Sequence, residues 1–122
     1  MNLSLNDKVA IITGGSDGIG KAAAISLAKE GAKVAIIARN QEKIDLAVKE
    51  IKQITNGSVI GISADVSVES DVKDMVSTVN AEFGGVDILI NNAGTSSATT
   101  LEKMSNEDLK VDFGIKVYGA IY

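Results

Sequence analysis

The chain contains no cysteine, histidine, proline or tryptophan. Without thiols no disulfide can form, and zinc sites built on thiolate or imidazole ligands are excluded, so no metal site is assigned. Without imidazole a Ser-His-Asp triad is impossible. Aromatic residues are scarce, and the two tyrosines, Tyr118 and Tyr122, lie at the very end. No apolar run approaches the roughly 20 residues of a membrane span. The start, Met1-Asn2-Leu3-Ser4-Leu5-Asn6-Asp7, lacks the basic residues and apolar core of a signal peptide. A cytoplasmic protein without a membrane partner is expected. The net charge of −4 contains no block of like charge, which speaks against a nucleic-acid surface. Charged residues such as Lys29, Glu30, Glu42 and Lys43 read as solvated helix faces.

What is present is a 122-residue chain, 45% hydrophobic. That suffices for one domain burying roughly two-thirds of its unfolded surface. Strand patterns fall at about 8–13, 33–38, 58–63 and 86–91, and helix patterns at about 18–30, 41–54, 68–83 and 105–122. Ile44, Ala47, Val48, Ile51 and Ile54 recur at helical spacing, as do Val68, Val72, Met75, Val76, Val79 and Phe83. Gly31, Gly57 and Gly84-Gly85 follow the first three helices, at the glycine position of a helix C-terminus. Alternation of this kind predicts an α/β doubly wound parallel sheet, Rossmann-like, with strand order 3-2-1-4 and a crevice where the order reverses.

The richest segment runs from Lys8 to Gly20. Val9 to Ile12 is a continuous apolar run suited to a strand buried on both faces. Gly14 allows a sharp turn at the strand end. Gly18 leaves no Cβ in the way of a pyrophosphate, and Gly20 lets the next helix pack close to the strand. That helix, from about Ile19, aims its unpaired N–H groups and the positive end of its dipole at the anion. A strand-to-helix turn that binds nothing is the bland alternative.

Three further strand ends carry markers. After the second strand, Ala38-Arg39-Asn40 offers a guanidinium where an acidic residue would select a ribose 2′-hydroxyl. Arg39 suits a 2′-phosphate, or is a solvated residue at a helix start. After the third, Asp65 could accept from an adenine amine while Val66 packs on the ring, or Asp65 could cap the next helix. After the fourth, Asn91-Asn92-Ala93-Gly94 can bond neighbouring backbone while the chain approaches a sugar, though a generic turn accounts for Asn92 and Gly94 taken singly.

Together these segments resemble the short-chain dehydrogenase/reductase family. Thr13-Gly14-Gly15-Ser16-Asp17-Gly18-Ile19-Gly20 is similar to its TGxxxGxG signature, Asp65-Val66 to its adenine-contacting pair, and Asn91-Asn92-Ala93-Gly94 to its NNAG motif. The resemblance implies an NAD(P)-dependent oxidoreductase acting on small-molecule alcohols and carbonyls. Gly14, Ser16, Ile19, Arg39, Asn40, Asp65, Val66, Asn92, Ala93 and Gly94 would line the cofactor site, with Asp17, Gly18 and Gly20 of the same turn. Arg39 after Ala38 resembles NADP-preferring members, with NAD as the alternative. Asp17 stands where many of those members carry a basic residue.

The family's proton chemistry uses a tyrosine, a lysine four residues later and a serine. No Tyr-x-x-x-Lys occurs here, so no catalytic residue is assigned. Residues 1–122 read as a dinucleotide-binding domain incomplete at its C-terminus, and this stretch alone is expected to transfer no hydride. A non-catalytic nucleotide-binding module or a truncated remnant is the rival reading. Lys116 falls in the slot of a family asparagine that relays protons, or else it reaches to solvent. The last helix is apolar on two sides, which resembles a homo-oligomer contact. With four strands, the outer edge of the fourth would have no neighbour.

Overall fold

The computed structural model describes residues 5–16, 18–92 and 116–117. Five strands form one parallel sheet: β1 (Val9–Thr13), β2 (Lys33–Ala38), β3 (Val59–Ser63), β4 (Ile88–Asn91) and β5 (Lys116–Val117), in the order β3-β2-β1-β4-β5. Three helices connect the first four: α1 (Gly18–Lys29), α2 (Gln41–Thr55) and α3 (Glu69–Phe83). The expected 3-2-1-4 order and the doubly wound architecture are both present.

Side-chain alternation along the strands creates the two layers. Val9 and Ile11 of β1, with Ala35 and Ile37 of β2, join Val72, Met75, Val76 and Val79 of α3 in one core cluster. Ala10 and Ile12, with Val34 and Ile36, join Ala24 and Ala28 of α1 and Ile44, Ala47 and Ile51 of α2 in the other. All five residues of β1 are buried, because β1 lies at the centre of the sheet with a layer on each side. Each fully buried isoleucine contributes on the order of 1.5–3 kcal/mol relative to exposure. Two residues of the helical patterns stay outside. Ile54 is half-exposed at the end of α2, and Val68 is the N-cap of α3, ahead of its first turn.

Helix ends follow the anticipated chemistry with one change. Gly31 adopts φ +90, and α1 closes with Gly31 N–H donating to Ala28 O and Ala32 N–H to Leu27 O, a Schellman pairing. Gly84 ends α3 at φ +84. At the end of α2 the left-handed position belongs to Asn56 (φ 54), not Gly57. Asparagine tolerates this region, and Gly57 instead donates to the Thr55 hydroxyl.

The helix expected over 105–122 is corrected at Lys116–Val117. These residues form β5, paired in parallel with β4 through Leu89↔Lys116 and Ile90↔Val117. The outer edge of β4 is therefore not without a neighbour. Ile115 and Val117 are β-branched and Gly114 and Gly119 weaken a helix, so the backbone groups of an open sheet edge can outcompete it here. A helix-face role for Lys116, and an oligomer contact through a continuous helix, lose their basis at these two positions. The remainder of 105–122 lies outside the described residues. Among the described residues, no helix is long and apolar enough to cross a membrane.

One glycine shows how closely α2 sits on the sheet. A Cβ at Gly61 of β3 would overlap the Ile44 Cγ2 methyl and lie 2.9 Å from that of Val48. Isoleucine in a helix is stiff at χ1 and cannot swing away cheaply. Gly61→Ala is expected to destabilise the fold by about 1–3 kcal/mol in denaturant unfolding. In an Ile44→Ala background the added methyl should cost less, and an undiminished cost would place the strain elsewhere.

Candidate functional site

The carboxyl ends of β1, β2, β3 and β4 lie along one edge of the sheet, because these strands are parallel. Thr13 and Asn91, the last residues of those two strands, are register partners and both fully buried. The Thr13 hydroxyl donates to Asn91 Oδ1 at 2.7 Å and accepts from Asn92 N–H at 2.8 Å. One side chain thus ties the carboxyl ends of the two strands to each other.

The glycine turn is built against this clasp. Gly14 takes φ +67, donates to Ile37 O at 2.7 Å, and leaves only 3.1 Å between a would-be Cβ and Asn92 O. A Cβ on Gly20 would overlap the Gly14 carbonyl oxygen and stand 3.1 Å from Asn92 Nδ2. The packing assigned to Gly20 is therefore helix against turn, with Asn92 beside it. Gly15, a variable place in the motif, is equally constrained: its Cβ would fall 2.8 Å from Ile36 Cβ.

Gly18 is different in kind. It takes φ +58, yet among the described residues nothing beyond its chain neighbours and its own helix backbone lies within 4 Å of the place a Cβ would occupy. The backbone is strained for any other residue, and the space beyond it is open. Gly18 opens α1, whose first turn carries no acidic residue, whereas α2 has Glu42 and α3 has Glu69 and Asp71 in theirs. The positive end of α1 thus has no carboxylate from its own first turn set against it. Ser16 is half-buried in the turn, and the Ile19 side chain is half-exposed at its rim. An open, uncluttered helix start of this kind fits a phosphate-bearing group.

The second half of the edge is polar. Arg39 is exposed, and its carbonyl accepts from the Ser63 hydroxyl at 3.0 Å, which ties the end of β2 to that of β3. Asn40 is the N-cap of α2, its side chain accepting from Lys43 N–H at 3.1 Å. Asp65 does not cap α3. Its Oδ1 accepts from Ser67 N–H at 3.0 Å and from the Ser67 hydroxyl at 2.6 Å, closing a turn. Those two bonds hold the Asp65 carboxyl below the usual carboxylate range, and the Arg39 charge adds to them. Val66 is buried in the core cluster that contains Val72 and Val76. Asp17, Ala93 and Gly94 lie outside the described residues.

The structure thus gathers Gly14, Gly18, Gly20 and Asn92 at one mouth, with Arg39 and Asp65 in electrostatic reach of each other along the same edge. Ser63, Ser67 and Asp71 were not singled out by sequence reasoning. The available signal was weak: polar residues just past apolar strand ends, which any loop shows.

A family model described as short chain dehydrogenase matches residues 8–122. The chain belongs to the short chain dehydrogenase family. It is 36% identical over 121 residues to an uncharacterized oxidoreductase of Bacillus subtilis, covering 99% of this chain and 45% of that protein. It is 35% identical over 120 residues to 11-beta-hydroxysteroid dehydrogenase-like 2 of Arabidopsis thaliana, covering 98% of this chain and 39% of that one. Among solved structures, L-sorbose reductase of Gluconobacter frateurii, complexed with NADPH and L-sorbose, matches at 41% identity and a TM-score of 0.74, over 78% of this chain and 36% of its own. An NAD+-bound xylitol dehydrogenase matches at 34% identity and a TM-score of 0.71, over 75% of this chain and 35% of its own. The chain spans less than half the length of each of these relatives.

Two consequences can be measured. Thr13→Val keeps the shape and removes the hydroxyl, leaving the Asn92 N–H and the Asn91 oxygen without it. It should cost about 1–3 kcal/mol of stability, and an unchanged unfolding midpoint would contradict the clasp. Because Asp65 titrates below its ordinary value in the folded state, its contribution to stability is present above the usual carboxylate range. That contribution is lost as pH falls through the lowered value. Ser67→Ala should return the Asp65 pKa toward that range in carboxyl NMR titration, whereas an unmoved pKa would assign the shift to another cause.

Proposed function

We propose that this chain is the cofactor-binding part of a short-chain dehydrogenase/reductase that moves hydride reversibly between NADP(H) and a small-molecule carbonyl or alcohol. The observation that carries the reading is the open, left-handed Gly18 at a helix start free of first-turn carboxylates, flanked along the same sheet edge by an exposed Arg39. NADP(H), when bound, supplies the hydride chemistry at its nicotinamide. The chain's own residues bind and orient. Gly14, Ser16, Gly18, Ile19 and Gly20 would bring backbone N–H groups to the pyrophosphate, with Asp17 in the same turn. Asn92, Ala93 and Gly94 would line the sugar side. Asp65 and Val66 would meet the adenine, and Asn40 would hold the start of α2 so that Arg39 faces the 2′-phosphate.

The relatives support the cofactor class and divide on its identity, one being complexed with NADPH and another with NAD+. The choice of NADP rests on Arg39, which follows Ala38 where an acid would serve NAD. No proton donor is assigned to residues 1–122. A cytoplasmic location and association of subunits belong to the same proposal.

A charge-assisted hydrogen bond is worth about 1.5–3 kcal/mol, so Arg39→Ala should weaken NADPH binding by roughly ten- to a hundredfold. NADH affinity should be spared. Fluorescence titration of both reduced cofactors decides the matter, and equal affinity of the unmodified protein for the two would overturn the NADP assignment.

A further inference from the structure

Several backbone N–H groups of the segment between β3 and α3 are held by hydrogen bonds. Ala64 N–H donates to Ala38 O at 2.9 Å, Val68 N–H to Asp65 O at 3.0 Å, and the Asp65 Oδ1 takes both bonds from Ser67. Asp65 N–H is taken by Asp71 Oδ2 at 2.9 Å. Among the described residues, nothing bonds the second carboxylate oxygen of Asp65, so that oxygen is left for a ligand.

Asp71 makes this bond from an unusual place. It is the third residue of α3, from which an acidic side chain ordinarily turns back onto the N–H of the cap residue. The cap here is Val68, which adopts extended geometry (φ −104, ψ 117) and offers no side-chain bond of its own. Its N–H is already engaged by Asp65 O. The Asp71 carboxylate therefore reaches three residues further upstream, to the start of the loop. It gains from the positive end of α3 while doing so. It is half-buried, and its bond anchors Asp65, the residue assigned above to the adenine, rather than the helix end itself.

We propose that Asp71 is a positioning residue for the adenine side of the cofactor site. By holding Asp65 N–H it fixes the direction of the Asp65 carboxylate and the path of Val66, so that the ligand-facing oxygen is set before binding. This inference rests on the cofactor reading above.

The test measures three ligands with the purified protein: NADPH, adenosine 2′,5′-bisphosphate, and reduced nicotinamide mononucleotide, which lacks the adenosine. Asp71→Ala should weaken the first two by about tenfold, the scale of one hydrogen bond, and leave the third unchanged. Asp71→Asn keeps a neutral acceptor, roughly half as strong as a charged one, and should lose about threefold on the same two ligands only. A purely structural role predicts another pattern: a lower unfolding temperature with NADPH affinity unchanged, or equal losses on all three ligands. Either result overturns the proposal. Should Asp71→Ala not fold, Asp71→Asn carries the test, and affinities equal to those of the unmodified protein overturn it. If the unmodified protein binds NADPH and Asp71→Ala binds it equally, this inference alone falls. If the unmodified protein binds neither NADPH nor NADH, the cofactor reading falls and takes the inference with it.

Discussion

The Thr13 hydroxyl, donating to Asn91 and accepting from Asn92 N–H, holds the carboxyl ends of β1 and β4 together. In a doubly wound sheet that point is where the crevice opens, because no helix crosses it. A crevice between two diverging loops has little of its own to keep it in shape. Here a buried polar contact supplies the constraint, and Gly14, Gly20 and Asn92 are then packed against it within van der Waals distance. Gly20 packs on the Gly14 carbonyl with Asn92 beside it, so the start of α1 is seated on the turn that the clasp holds.

The sheet behind the crevice explains why such a contact can be rigid. β1 is buried on both faces, and its odd and even residues belong to two separate core clusters. Any slip of one residue would exchange the two sets, which register along three neighbouring strands prevents. The carboxyl ends of the strands are thereby fixed relative to one another, and the loops inherit that precision. Bonds between loops, such as Ser63 to Arg39 and Asp71 to Asp65, extend it outward by one residue layer.

How far this was legible in the sequence depended on whether a residue's role is local. Val9 to Ile12 and the three glycines announce a buried strand and a turn because the backbone conformations they need are intrinsic to them. Arg39 and Asp65 were legible by position, since a strand's end in a parallel sheet is a place known in advance. Gly15 was not, because its constraint comes from Ile36 on another strand. Asp71 was not singled out, since its partner is chosen by the fold of a loop. Gly57 gave way to Asn56 for a local reason, both residues tolerating the left-handed region, so composition alone could not rank them. Lys116–Val117 failed differently. Apolar residues on two sides of a helical projection also suit an edge strand, and only the open edge of β4 decides between them.

The electrostatics of the edge divide the site into two regimes. At the glycine mouth the first turn of α1 carries no acidic residue and its backbone supplies a field that discriminates little among phosphate-bearing groups. Along the β2 and β3 ends the field comes from side chains, and there Arg39 faces a competitor. Asp65 is kept ionised beside it, mostly through Ser67. The Asp65 carboxylate is held by the two Ser67 bonds of its own turn. Among the described residues no ion pair joins Arg39 to Asp65, so on the proposed reading a 2′-phosphate at Arg39 would have none to break there. Selectivity at this edge depends on how firmly the neighbouring anion is restrained as well as on the presence of the cation.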